Sequence, residues 1–390
     1  MDLEALAASP VGSLITIKGV DGRSGKSYDH KAYLPDPLPD SVPLQHETYG
    51  AVTEAAAAIA RLDQAALLLP VPSLLARPAI RREAVSTSAL EGTYAAFTDV
   101  LEGEFLSEAD RSAPVAEVVN YIQAAEHAFE WISQYPLSMG LLGTLQKTLV
   151  RGTPAEKTDA GRVRTIQVCI GGGGGGIEDA RFVPAPPGDQ LVAGVEAWLE
   201  WIGRNDDVPL LVKMALGHYQ FETLHPFADG NGRLGRLICV LQLVWRRELR
   251  VPILNISPWL ERRRKEYQDH LLQCSITGQF DEWIRFFCQA VSVQSASAVE
   301  KIDALHEWKE ETMSSLRAAR VRGVAVSIAE QLIGYPVITA TLAAEQHGVT
   351  YQAANAAIRR LVSLGILRER TGRSYGRIFA APAVLAIIEP

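Results

Sequence analysis

The sequence predicts a mainly α-helical chain, with a helical core that carries one β-hairpin and a C-terminal winged helix-turn-helix module. Three observations predict it. Apolar residues recur at helical spacing through most of residues 48–320. The period switches to alternation at RTIQVCI (164–170), ahead of six glycines and ARFVPAPP (180–187). The last part of the chain also changes in charge. Val321–Pro390 holds seven Arg, no Lys and four Glu, a net of +3, which leaves −10 for the rest of a chain whose total is −7.

Residues 1–48 are rich in Pro, Gly and Asp, with a short strand-like piece at LITIKGV (14–20). KAYLPDPLPDSVPL (31–44) has too many prolines for a helix and reads as an extended, packed arm. From Thr48 strong helix formers line up with an apolar face. Two shorter helical pieces follow, IRREAVSTSALEG (80–92) and TYAAFTDVLEGE (93–104), separated near Gly92, a residue suited to a helix end. Amphipathic helices are expected at 113–133 and 137–150. The two segments around the glycine run read as strands of a hairpin. Helices resume at 188–204 and 207–224, again just inside HPFADGNGRLGR (225–236), then at 258–274 and 281–320, the last long enough to link two modules. TATLAAEQHG (339–348), TYQAANAAIRRLVSLGIL (350–367) and RERTGRSYGRIFAAP (368–382) read as helix, turn, helix and wing.

Composition narrows the function classes. The chain has 390 residues, enough for two or three domains, with an ordinary apolar share of 47%. A net charge of −7 argues against a generic polyanion binder. The four cysteines are widely spaced, without CxxC, which argues against a zinc site or disulfide framework and suits a cytoplasmic protein. MDLEALAASPVGS is acidic and lacks a basic start, so no secretory signal is expected. The longest apolar runs are too short for a bilayer.

HPFADGNGRLGR concentrates the chemistry. Pro226 biases His225 towards an extended conformation, so the preceding helix should end there. Asp229-Gly230-Asn231-Gly232 is a turn sequence. A helix follows at once, so backbone N–H groups at its N-terminus form an anion seat. Arg233 and Arg236 share one helical face and match phosphate with planar forks. One phosphate does not need so much, whereas a polyphosphate does. Asp229 beside a phosphate calls for a cation between them, and Mg2+ takes one or two carboxylates with phosphate oxygens. His225 titrates near neutrality and suits a base acting on an incoming nucleophile. Together these describe phosphoryl or nucleotidyl transfer. GNGRLG matches GxGxxG but follows a helix rather than a strand, which excludes a dinucleotide fold, and the six-Gly run lacks the GK[ST] of a P-loop. His218 lies mid-helix among apolar neighbours and reads as structural rather than as a metal ligand.

HPFADGNGRLGR fits every fixed position of HPFxDGNGRxxR, the signature of the Fic family, and the chain resembles that family over most of its length. Residues 1–112 resemble the Fic N-terminal region with its proline arm, 113–290 the helical Fic core and 321–390 a winged-helix module found in one branch, with 291–320 a helical linker. The resemblance implies a protein adenylyltransferase that moves AMP from ATP, with Mg2+, to a Ser, Thr or Tyr hydroxyl of a target protein and releases pyrophosphate. It implies that His225 is the base and that Asp229 holds Mg2+. Gly230, Asn231 and Gly232 would line the anion hole, Arg233 and Arg236 clamp the outer phosphates, and Phe227 anchors the loop. The hairpin resembles the Fic flap, along which a target segment adds as a strand. Six glycines at its tip depart from the usual pattern.

Thr87-Ser-Ala-Leu-Glu91-Gly92 fits the family's inhibitory pattern [ST]xxxE[GN]. The resemblance then implies that Glu91 pairs with Arg236 in the place of the γ-phosphate and holds the enzyme off. Tyr267, in ERRRKEYQDH (261–270), is a candidate for the adenine side. In the tail, Tyr351–Leu364 resembles a recognition helix and 371–377 a wing turn. Arg359, Arg360, Arg373 and Arg377 are candidate phosphate contacts for DNA. Winged helices also serve as homodimer or partner surfaces, and both readings stay open. Two alternatives accompany the main one: a DNA-binding regulator whose core senses nucleotide, and a relative that transfers another phosphate-containing group.

Overall fold

The structure, a computed structural model, describes residues 1–21, 25–171, 176–372 and 376–389. It opens with a one-turn helix, α1 (Leu3–Ala7), capped by the Asp2 carboxylate on the Ala5 N–H at 3.0 Å. An antiparallel ribbon follows, β1 (Gly12–Val20) against β2 (Ser27–Pro35), with Ile17 opposite His30. The first strand matches the expectation from LITIKGV. The second overlaps the expected proline arm at Lys31–Pro35. Its prolines start only at Pro35, where the strand ends, and Lys31–Leu34 upstream keep the N–H groups a ladder requires.

The helical body follows: α2 (His46–Ala65), α3 (Ser73–Leu90), α4 (Phe97–Gly103), α5 (Ala113–Ile132), α6 (Met139–Leu149), α7 (Asp189–Gly203), α8 (Leu210–Leu224), α9 (Asn231–Trp245), α10 (Ser257–Arg262), α11 (Arg264–Thr277) and α12 (Asp281–Ala318). α3 begins before the expected Ile80 and carries Pro78 inside it. α8 is the central helix. Nearly every residue from Leu211 to Leu224 is buried, so it shows apolar and small residues all round rather than one stripe. Two indoles fasten its neighbours to it: Trp198 of α7 donates to the Gly217 carbonyl and Trp283 of α12 to the Ala215 carbonyl, both at 2.8 Å. Buried Tyr and Trp normally find such partners. α3 is locked to α10 through Glu83, whose carboxylate accepts from the Ser257 hydroxyl and, at 3.2 Å, its N–H.

The expected hairpin is much reduced. Segments 164–170 and 180–187 meet in a single antiparallel bridge, Ile170 with Phe182, through two backbone hydrogen bonds of 2.8 and 3.1 Å. Pro184, Pro186 and Pro187 have no N–H to extend the ladder. The Val183 carbonyl is instead engaged by the Tyr33 N–H at 2.8 Å, so β2 lies along the other edge of that segment. The expected tip falls mostly on residues 172–175, which lie outside the described residues.

α12 runs unbroken through residue 290, where the sequence suggested a boundary. Its second half is not a solvated linker, since Ile302, Leu305 and Leu316 are buried. The tail contains α13 (Val324–Gln331), β3 (Val337–Thr339), α14 (Ala340–His347), α15 (Tyr351–Ser363), β4 (Arg368–Glu369), β5 (Ile378–Ala380) and α16 (Pro382–Ile388), with a three-stranded sheet in the order β3-β5-β4. Among the described residues this tail touches the α3 region at several places, Gly334 against Leu74 among them. Arg82 donates to the Ile388 carbonyl at 3.0 Å, the Arg77 guanidinium lies 4.4 Å over the Tyr335 ring, and Arg370 pairs with Glu102 of α4 at 3.0 Å. Among the described residues no helix is long and apolar enough to cross a membrane.

Candidate active site

The site forms where α8 stops and α9 starts. α8 ends at Leu224, as Pro226 requires, yet His225 is not extended: it takes a left-handed conformation, φ 51° and ψ 60°. That conformation is uncommon for a residue with a Cβ. The surroundings enforce it. The His225 N–H still bonds back to the Phe221 carbonyl at 2.9 Å, while the His225 carbonyl accepts from Arg164 Nε at 2.8 Å. Phe227 is 1% exposed and anchors the turn in the core. Truncating such a ring costs about 3–5 kcal/mol.

Asn231 closes the turn. Its side-chain oxygen accepts from the Phe227 N–H at 2.9 Å and its amide donates to the Phe227 carbonyl at 2.8 Å. The Asn231 side chain is thus a staple for the turn. Gly230 sits at φ 83°, which only glycine adopts at no cost. The first hydrogen bond of α9 runs from the Leu234 N–H to the Gly230 carbonyl, 3.0 Å, so the N–H groups of Asn231, Gly232 and Arg233 are the helix's open N-terminal donors.

The structure brings Glu91 to that place. Arg236 is 2% exposed; its Nη2 donates to Glu91 Oε1 at 2.5 Å, and its Nε to the Thr87 hydroxyl at 2.7 Å. A second bond from Nη2 reaches the Thr87 carbonyl at 3.1 Å. A Cβ on Gly232 would lie 2.1 Å from Glu91 Oε1, so the carboxylate rests on the glycine at the start of α9. Thr87 and Glu91 are thus four residues apart on α3 and its cap, and they hold one guanidinium between them. Gly92, at φ 93°, turns the chain away directly afterwards.

Arg233 does not join this contact. It is equally buried and points between Glu117 of α5, 3.4 Å, and Asp229, 3.5 Å. Asp229 accepts from the Gly230 N–H at 2.5 Å, and its side chain is 50% exposed. Among the described residues no cluster of three or more His, Cys, Asp or Glu side chains could hold a metal by itself. A single outward carboxylate fits Mg2+ that arrives with phosphate ligands, because that ion keeps most of its shell as phosphate oxygens and water.

A cavity of about 150 Å3, partly open to solvent, lies against these groups. His225, Gly232, Arg236 and Glu91 line it, together with Tyr267 and Leu271 of α11. Tyr267 lines this cavity and is buried, with its hydroxyl 2.7 Å from His218 Nε2. His218 is fully buried and structural, and burial drives its imidazole down to about 3. Burial, and then the nearby Arg164 guanidinium, push His225 down to about 4, so its imidazole is neutral and able to accept a proton. Burial opposes charge at Glu91 too, but Arg236 outweighs it and the carboxyl is held below its ordinary range.

Two site residues escaped the sequence reading. Glu222, one turn before His225, lines the cavity with its Oε2 3.9 Å from His225 Nδ1, and burial raises its carboxyl to about 8. A carboxylate on a helix ordinarily signals a solvated face, and nothing local marks this one as buried. Arg164 appeared only as a flank of the hairpin. Arg359, Arg360 and Arg377 of the tail do not line the cavity. Arg359 and Arg360 are exposed on α15, Arg377 pairs with Glu369 at 3.5 Å, and Arg373 falls outside the described residues.

Residues 49–130 match the Fic/DOC family N-terminal model and residues 136–243 the Fic/DOC family model. A similar relative is the protein adenylyltransferase fic-1 of Caenorhabditis elegans, 33% identical over 104 residues, 26% of this chain and 18% of the relative. Another is the protein adenylyltransferase Fic of Drosophila grimshawi, 31% identical over 155 residues, 39% of this chain and 27% of the relative. The chain thus spans well under a third of these curated relatives. Among solved structures, a Fic family protein from Desulfovibrio desulfuricans G20 superposes with a TM-score of 0.55 at 19% identity, over 88% of this chain and 98% of that one. The Fic-1 structure of C. elegans (aa134–508) gives 0.51 at 18% identity, over 67% and 74%. The chain thus carries a Fic/DOC family N-terminal region at residues 49–130 and a Fic/DOC family domain at residues 136–243, within a fold shared with a solved Fic family protein.

Proposed function

We propose that the protein is a protein adenylyltransferase held in an inhibited state by Glu91. The observation that carries this reading is the Glu91 carboxylate on Arg236 and Gly232, at the open N-terminus of α9 beside a neutral histidine. A carboxylate there is an internal stand-in for a phosphate, since both satisfy the same guanidinium and N–H donors. The printed names of the curated relatives support the same activity.

In the reaction, the triphosphate of ATP lies along the α9 N-terminus with its outer phosphates on Arg236 and Arg233. The target's Ser, Thr or Tyr hydroxyl gives its proton to His225, through Nε2, because Nδ1 faces the Glu222 carbonyl at 3.2 Å. A bond forms between the hydroxyl oxygen and the α-phosphorus, the bond from that phosphorus to the β-bridging oxygen breaks, and pyrophosphate leaves with the electron pair. Asp229 would hold Mg2+, which when bound offsets phosphate charge. The target adds along the outer side of the first flap segment, where Ile166 is 46% exposed, because β2 already covers the second. The wide spacing of the cysteines is consistent with a reducing cytoplasm.

The test is incubation of Glu91→Gly protein with α-labelled ATP, CTP, GTP and UTP, with His225→Ala added to the same background. Label should enter protein from ATP with Glu91→Gly and vanish with His225→Ala. Equal labelling by wild type and both variants would reject the inhibitor and the base together.

A further inference from the structure

Arg164 is a buried guanidinium without an acid. It is 1% exposed, and among the described residues no carboxylate forms an ion pair with it. Its donors go to four main-chain carbonyls instead. Nε meets His225 O at 2.8 Å, Nη1 meets Ile166 O at 3.0 Å, and Nη2 meets Ala185 O and, at 3.4 Å, Leu224 O. Its own N–H donates to the Pro226 carbonyl at 2.9 Å. These acceptors belong to three separate stretches: the first flap segment, the second flap segment, and the end of α8 with the turn after it. A buried charge with no counter-charge is expensive, and a local fold could be held by a neutral donor. Arginine alone offers five donors in a fixed plane, which is what three converging backbones require.

We infer that Arg164 is a positioning residue for AMP transfer, tying the flap that receives the target hydroxyl to the peptide that holds the His225 base. This rests on the adenylyltransferase reading and names a device within the same site. The left-handed conformation of His225 and the seat of both flap segments then share one reference point, so acceptor and base keep their spacing when a target binds. The same charge faces the imidazole. Around His225 the charged groups are Arg164 from the flap root, Glu222 from α8, Glu91 from the end of α3 and Asp229 from the turn. Arg164 disfavours the imidazolium, while Glu91 and Asp229 favour it.

The test uses the full chain carrying Glu91→Gly, with Arg164→Met and Arg164→Lys added. Three readouts are taken: the His225 imidazole titration by NMR, amide hydrogen exchange over 164–171 and 180–187, and label transfer from α-labelled ATP beside ATP affinity. Arg164→Met should raise the His225 titration midpoint by about a unit or more, speed exchange in both flap segments at least tenfold, and cut transfer about a hundredfold with ATP affinity within threefold. Arg164→Lys keeps the charge but not the fork, so the titration should stay near the parent while exchange still rises. A folded Arg164→Met with parental titration, exchange and transfer overturns the inference. If Arg164→Met does not fold, Arg164→Lys decides: parental exchange overturns it, faster exchange at both segments supports it. Titration and exchange do not depend on catalysis, so a parent that transfers nothing would sink the activity reading and leave these outcomes intact.

Discussion

Replacing Glu91 with glycine removes the one carboxylate seated on the phosphate ground. The Glu91–Arg236 contact is a 2.5 Å charge-assisted bond to a guanidinium that is 98% shielded, but Glu91 itself is 40% exposed. Hydrogen bonds to charged groups contribute about 1.5–3 kcal/mol, and exposure of one partner pulls that down, so about 1–2 kcal/mol is a fair value. A nucleotide phosphate must displace this bond in the wild type and not in Glu91→Gly. The affinity for Mg-ATP should therefore rise about five- to thirtyfold, since ~1.4 kcal/mol is tenfold. Folding stability should move the other way by a similar ~1–2 kcal/mol, because Arg236 loses its counter-charge while keeping both bonds to Thr87. Titration calorimetry with Mg-ATP and urea unfolding measure the two. Glu91→Gln, which keeps the shape, should fall between. An ATP affinity unchanged within twofold in Glu91→Gly, with unaltered stability, would refute the idea that this carboxylate competes with phosphate.

Other expectations follow from the same geometry. Thr87→Val leaves Arg236 Nε without its 2.7 Å acceptor, so stability should fall by about 1–3 kcal/mol by urea unfolding, and ATP affinity should rise because Glu91 is less firmly seated. Glu222 has a folded-state value raised from 4.5 to about 8, so its contribution is fully present below about pH 4.5 and is lost as pH rises through 8. Urea unfolding at pH 5 and pH 8 should show wild type losing more stability across that window than Glu222→Gln, and identical losses would contradict it. Exposed Arg359 and Arg360 predict a weak, salt-sensitive shift with duplex DNA that the double Glu variant abolishes; absence of any shift at low salt removes DNA as a partner of the tail.

The turn HPFADGNGRLGR was readable because its chemistry is local. Proline ends a helix, glycine permits φ 83°, and the next residues start a helix, all within one short stretch. Glu91 was readable only through its pattern, since its partner is 145 residues away. What local rules missed has a common cause. The left-handed state of His225 is imposed from outside by Arg164, against the bias of Pro226. The bonds that fold the Asn231 amide onto the Phe227 backbone are not legible in a turn sequence that marks Asn only as a turn former. Alternation in 164–170 promised a strand, but a ladder needs donors on both sides, and the partner segment is punctuated by proline. Burial of Glu222 depends on how α8, α9 and α11 close around it, which no periodicity on α8 alone expresses.

The grip of the tail on α3 has a thermodynamic side. The helix that ends in Glu91 is held at its middle by the Ile388 carbonyl on Arg82 and near its other end by the Tyr335 ring under Arg77. One rigid element thus belongs to two bound states at once. If nucleotide shifts α3 when it evicts Glu91, the work is shared with those distant contacts, and whatever loosens them lowers the cost of eviction. The exchange is symmetrical: a ligand of the tail that changes ATP affinity by some factor has its own affinity changed by ATP by the same factor. The tail then acts as a counterweight on the catalytic turn, and its ligand can be sought by adding nucleotide and watching the tail.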